Sequence, residues 1–134
     1  MVCLRERFLI RNHNPMCGIV GYFGKRSAQE FLLEGLRRLE YRGYDSAGVA
    51  LIEKGKLKVI RSVGKVSALE ERLTERSNAS MIGIAHTRWA THGKPSEKNA
   101  HPHTDCAKQV AVVHNGIIEN YRELREALEK QGHV

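Results

Sequence analysis

Five short apolar runs, and the uneven way helices fall among them, do most to restrict the fold of this 134-residue chain. The runs lie near Cys17, Ala47, Val59, Ile82 and Val112, each of strand length. Residues 17–24, "CGIVGYFG", read as a buried, glycine-punctuated strand. "AGVALIE" and "LKVIRSV" read as two strands joined by a short turn at Lys54–Gly55–Lys56. "MIGIAHTRW" is a further strand, running into a long polar loop from Thr91 to about Lys108, and "QVAVVHNG" reads as a buried strand. Helical signals fall between or after only some of these. "SAQE" at Ser27 is a capping box, followed by Ala28, Leu32, Gly35, Leu36 and Leu39 on one face. "SALE" at Ser67 is a second box, predicting a short helix with Leu69 and Leu73 inward. From about Glu119 a third helix is predicted to bury Tyr121, Leu124 and Leu128 and to stop at Gly132. The order predicts an α+β layered fold.

The length allows at most one domain, with a core of useful size. Apolar residues at 41% and charged residues at 28% fit a soluble globular protein. No apolar run approaches the length that spans a bilayer, so no membrane partner is expected. Residues 1–15, "MVCLRERFLIRNHNP", have a three-residue apolar core between arginines and make a poor secretory signal, which points to the cytosol. The net charge is +7, of which residues 1–15 carry +2. The basic residues are spread along the chain beside acids, as in "LREALEK", with no stripe and no interleaved aromatics, so no nucleic-acid partner is expected. Cys3, Cys17 and Cys106 are odd in number and far apart, which argues against a disulfide framework.

Several stretches could carry chemistry. Cys17 follows Met16 and precedes Gly18. It reads either as a buried structural thiol or as a nucleophile at the first position of the working protein. In the second case its own α-amine, titrating near ~7.7–8, could serve as base. "HNGIIENY" (114–121) ends a strand in Asn115–Gly116. That pair suits an ordinary turn, or an oxyanion site built from a side-chain amide and an unencumbered backbone N–H. "HTRWATHG" (86–93) places Arg88 where it could clamp a carboxylate, and Trp89 where it could close over a bound molecule. Equally, Arg88 could pair with a protein carboxylate and Trp89 could fill core. "NAHPHTDC" (99–106) lacks the paired short spacings of a zinc site, and no metal is expected. "LEYRGYDSAG" (39–48) is either a helix-ending turn with an Arg–Asp pair or the wall of a site.

"MCGIVGYFG", "RRLEYRGYDSAGVA", "AHTRWATHGKPSEKNAHPH" and "VVHNGIIENY" occur in that order across residues 16–134. Together they resemble the glutaminase domain of the glutamine:fructose-6-phosphate amidotransferases (glucosamine-6-phosphate synthases). The variants are closer to that family than to the amidophosphoribosyl, asparagine or glutamate enzymes among the class II amidotransferases. The resemblance implies an N-terminal nucleophile hydrolase fold, an αββα sandwich. It implies a terminal cysteine attacking the glutamine side-chain amide, with ammonia released and passed to fructose 6-phosphate for glucosamine 6-phosphate synthesis. By motif, Cys17 would be nucleophile and base, and Asn115 with the Gly116 N–H the oxyanion hole. Arg88 would hold the substrate carboxylate. Thr91 and His92 would lie in the loop that folds over glutamine, and Trp89 would gate ammonia. Arg42 and His101 would support the pocket. No cofactor is implied; the full-length family enzyme is expected to be a homodimer.

Two departures accompany the resemblance. Residues 1–15 stand before Met16 and would block the terminal amine, so they are expected to be a leader or a misassigned start. Residues 16–134 would then be a partial glutaminase domain, about the first half. The family's aspartate that grips the glutamine α-amine and its sugar-isomerase domains would lie further on. The alternative readings are a non-catalytic truncated remnant, or the glutaminase domain of another class II enzyme such as an amidophosphoribosyltransferase.

Overall fold

The computed structural model describes residues 17–73, 80–89 and 93–134. The expectations for residues 1–15, Met16, Thr91 and His92 lie outside these. The element order is β1 (Gly18–Phe23), α1 (Ala28–Leu39), a 3₁₀ turn (Glu40–Arg42), β2 (Ser46–Glu53), β3 (Lys56–Val63), α2 (Val66–Arg72), β4 (Ile82–Arg88), β5 (His103–Thr104), β6 (Ala111–Val112) and α3 (Tyr121–Lys130). The architecture is α+β. Four strands form an antiparallel sheet in the order β1-β4-β2-β3, and β5 pairs with β6 separately.

The hairpin between β2 and β3 turns on Lys54 and Gly55, both at positive φ (51° and 76°). A two-residue turn of that hand matches the twist of the flanking strands. Because strand side chains alternate, the register sorts the sheet into two faces. Ala47, Val49, Leu51 and Ala85 face α1 and α2, where they meet Leu32, Leu36, Val66 and Leu69 in the core. Each of these leucines is fully buried, worth roughly 1.5–3 kcal/mol relative to exposure. Ser46, Gly48, His86 and Arg88 share the opposite face, since Gly48 stands opposite His86 and Ser46 opposite Arg88. This second face carries the polar groups described below.

Ser27 caps α1 as its box predicts, its Oγ accepting from the Glu30 N–H at 3.4 Å. Gly35 lets α1 approach β1, because a Cβ there would meet Val20 at 2.8 Å. Other expectations are corrected. The second helix starts at Val66, with Lys65 rather than Ser67 at its cap. The Glu40 carboxylate reaches across and accepts the Val66 N–H at 2.8 Å, doing the work assigned to the serine. β1 is buried on one face only: Ile19 and Phe23 are exposed. The "QVAVVHNG" run is not a buried strand. Only Ala111–Val112 pair, against a two-residue neighbour, and Val110 and Val112 stay exposed. Nor does α3 bury Tyr121, Leu124 and Leu128; its apolar stripe is real, but no apolar layer among the described residues meets it. Gly132 does end that helix region at φ 87°. Among the described residues no helix is long and apolar enough to cross a membrane.

Candidate active site

The polar face of the sheet opens into a cleft of about 830 Å³. The start of β1 and the end of β4 enter it side by side, because Gly18 pairs with Thr87. Just before β1, the Cys17 thiol reaches the backbone of Trp89, just after β4. The Trp89 N–H donates to Cys17 Sγ at 3.3 Å, and the thiol lies 3.6 Å from the Trp89 carbonyl as donor. Gly18 is obligatory at this seam: a Cβ there would crowd Leu39 and Thr87 at under 3 Å.

Asn115 comes from the segment after β6. Its Nδ2 donates to the Cys17 carbonyl at 3.1 Å, while its Oδ1 lies 2.7 Å from His86 Nε2. Gly116 follows, and a Cβ at that position would run into the His114 ring at 2.7 Å. The cleft is therefore lined by a thiol from one part of the sequence and a carboxamide and a glycine, adjacent to each other, from another.

Arg88 and Trp89 line the same cleft. The Arg88 guanidinium is mostly buried and lies 3.7 Å from Asp45, so the protein-carboxylate pairing foreseen as one option is present. Trp89 rests on Gly43, whose φ of 96° and missing Cβ leave room for the indole. His101 also lines the cleft, its ring centroid 4.3 Å from that of His86 in a tilted contact and 4.3 Å from that of His103 in an edge-on one. Its segment is drawn onto the sheet by Arg61, which donates to the Pro102 carbonyl at 2.7 Å, and it lies over Gly48. Arg42 is elsewhere. It stands in the 3₁₀ turn against the Tyr41 ring and does not line the cleft. The His101 and His103 rings meet edge-on, and among the described residues no group of side chains could hold a metal ion.

The charge balance of the cleft is one-sided. Arg88 and Arg125 line it together with His101, His103 and His114, and no carboxylate side chain does so among the described residues. Burial pushes the His101 pKa down to about 4, helped by the neighbouring His86 and His103. Burial likewise lowers His86, against the opposing effect of its bond to Asn115. It lowers His103 too, with Arg61 and Arg88 adding to the effect. Neutral His101 and His103 beside two arginines suit a ligand with one carboxylate and an otherwise uncharged body.

Sequence reasoning missed His86, Tyr121 and Arg125. His86 had a signal: it stands two residues before Arg88 in a strand, hence on the same face. Tyr121 and Arg125 reach the cleft one helical turn apart, from a helix read only for its apolar stripe.

No family model matches the chain. Curated proteins do. The chain is 58% identical over 118 residues to a glutamine–fructose-6-phosphate aminotransferase (isomerizing) of Synechocystis, a match covering 88% of this chain and 19% of that protein. The chain is a homologue of part of this aminotransferase. The namesakes from Symbiobacterium thermophilum and Pyrococcus horikoshii are 60% and 56% identical over 119 residues, each covering 89% of the chain and 20% of the relative. The chain thus spans about a fifth of the length of the curated aminotransferases it matches. Among solved structures, the glutamine phosphoribosylpyrophosphate amidotransferase of Bacillus subtilis, complexed with ADP and GMP, superposes with a TM-score of 0.70 at 27% identity. That match covers 87% of this chain and 25% of the other. The chain therefore has the N-terminal nucleophile hydrolase fold of that amidotransferase over the residues that superpose.

Proposed function

We propose that this chain supplies the glutamine-hydrolysing site of a glutamine–fructose-6-phosphate aminotransferase. The observation that carries the reading is the meeting of Cys17, Asn115 and Arg88 in one cleft that holds no carboxylate side chain among the described residues. Cys17 Sγ attacks the side-chain amide carbon of glutamine, forming a C–S bond while its proton passes by way of the α-amine to the departing nitrogen. The C–N bond then breaks and ammonia leaves. Water adds to the thioester, the C–S bond breaks, and glutamate and the thiol are regenerated. Asn115 Nδ2 carries two N–H groups. One is held by the Cys17 carbonyl, which leaves the second, with the Gly116 N–H, for the oxyanion of each tetrahedral intermediate. Arg88, braced by Asp45, takes the α-carboxylate. Trp89 closes the cleft on the side of Gly43, where ammonia would leave for the sugar site. His101 walls the pocket. Fructose 6-phosphate is met by other segments of the full-length protein.

The amine of Cys17 is a base only when nothing precedes it. We therefore propose Met16 as the effective start, removed to expose Cys17, with residues 1–15 no part of the working protein. Intact-mass measurement of the protein from its native locus should show a chain beginning at Cys17; active protein that retains residues 1–15 would defeat this. The activity is tested in a chimaera in which residues 17–134 replace the matching segment of the full-length Synechocystis relative. It should release glutamate from glutamine and make amino sugar from fructose 6-phosphate, and Cys17→Ala should do neither with glutamine. A folded chimaera without glutamate release, or an active alanine variant, would refute the reading.

A further inference from the structure

We infer that His86 is a positioning residue for glutamine hydrolysis: it holds the Asn115 carboxamide with its NH₂ end toward Cys17 and its oxygen away. The inference rests on the glutaminase reading above and goes beyond the residues named there. It follows from a chain of donors and acceptors. The Cys17 carbonyl can only accept, so the group 3.1 Å from it must be the amide nitrogen of Asn115. The other end, Oδ1, can only accept as well. Its partner at 2.7 Å is His86 Nε2, which must therefore carry the hydrogen.

The surroundings of the ring agree with that assignment. His86 is 1% exposed, and its Nδ1 is buried with no hydrogen-bond partner among the described residues. In a neutral ring protonated at Nε2, Nδ1 is a bare nitrogen. In the opposite tautomer, or in the charged ring, it would be a buried, unpaired N–H, which costs more. Arg88, two residues along the same face, also disfavours a positive charge there, against the smaller opposing pull of Asp45. The imidazole is thus a one-way donor aimed at Asn115. With it gone, the amide is free to turn about its last torsion and offer oxygen to a developing oxyanion. That would replace attraction by repulsion without touching the α-carboxylate clamp.

The test uses the same chimaera. His86→Leu should lower kcat for glutamate release by about 10²-fold, the scale of losing one oxyanion donor, while KM for glutamine changes less than threefold. His86→Gln, whose amide nitrogen can stand where Nε2 stood, should recover to within about tenfold of wild type. His86→Asn, polar but one carbon shorter, should stay as low as the leucine variant. A merely structural histidine would not separate Gln from Asn in this way. Equal losses in all three, or a leucine variant with unchanged kcat, would overturn the inference. A second readout does not depend on activity or on the His86 variants folding. With ¹⁵N-labelled histidine, long-range proton–nitrogen spectra of the unsubstituted chimaera should show one ring as the neutral Nε2–H tautomer at pH 7, its signals shifted by Asn115→Ala. An Nδ1–H or doubly protonated His86 would overturn the inference. A chimaera that fails to hydrolyse glutamine yet shows the Nε2–H tautomer coupled to Asn115 would refute the glutaminase reading and leave the positioning geometry standing.

Discussion

Gly43→Ala should dislodge Trp89 and weaken the fold together. Gly43 sits at φ 96°, ψ 149°, a region that side-chain-bearing residues almost never enter, at a cost of about 1–3 kcal/mol. The new methyl would also stand 2.5 Å from Trp89 Cε3 and 2.7 Å from Cζ3. The indole is 40% exposed, so it can swing outward and relieve that clash. The lasting penalty is then the backbone strain, with the ring displaced. Trp89 is the only tryptophan in the chain, so intrinsic fluorescence reports on it alone. The variant should emit further to the red and be quenched more readily by acrylamide. Its urea midpoint should fall by about 1 M, taking a slope of roughly 1–3 kcal/mol/M. Unchanged emission with an unchanged midpoint would show that the turn does not seat the indole as described.

Gly48→Ala should lift the 100–103 segment from the sheet, since a Cβ there would collide with the His101 carbonyl; overpacking of this kind costs about 1–3 kcal/mol, and amide exchange across residues 97–104 should quicken. In the chimaera, Asn115→Ala should cut kcat by on the order of 10²–10³ with little change in KM, whereas Arg88→Ala should chiefly raise KM; reversed effects would mean the two roles are misassigned. His101 is held down to about 4 from its ordinary 6.5, so the unfolded chain takes up that proton first as pH falls. Its stabilisation is complete above about pH 6.5 and is lost progressively toward pH 4. Allowing for solvent screening of the half-exposed ring, this amounts to roughly 1–2 kcal/mol. His101→Phe should flatten the urea midpoint across that pH window, and an unchanged slope would contradict the assignment.

Where a local signal and its tertiary partner lie close in sequence, the chain was readable. The β2–β3 hairpin needs only alternation and a turn that tolerates positive φ at Lys54 and Gly55. The α1 face needs only its cap at Ser27 and the spacing of Ala28, Leu32 and Leu36. Where the partner comes from afar, local pattern misled. Ser67 looked like a cap because nothing nearby announced that Glu40 would supply one. The apolar stripes of α3 and of the 110–112 run signalled burial, but a stripe is buried only when another layer meets it. In the site, Cys17, Arg88, Trp89, Asn115, Gly116 and His101 were named from motifs and all line the cleft, while Arg42 stands against Tyr41 instead. His86 escaped notice because its importance lies in a single hydrogen bond to a residue 29 positions away.

Glutamine hydrolysis by this site requires covalent chemistry at Cys17. Rapid acid quench of the chimaera during turnover of glutamine, followed by peptide mass mapping, reads that chemistry directly. The expected result is a glutamyl thioester on the peptide that begins with Cys17, absent in Cys17→Ala and accumulating less in Asn115→Ala. Glutamate formed with no adduct on Cys17, or with the adduct on Cys106 or any other residue, would contradict the account.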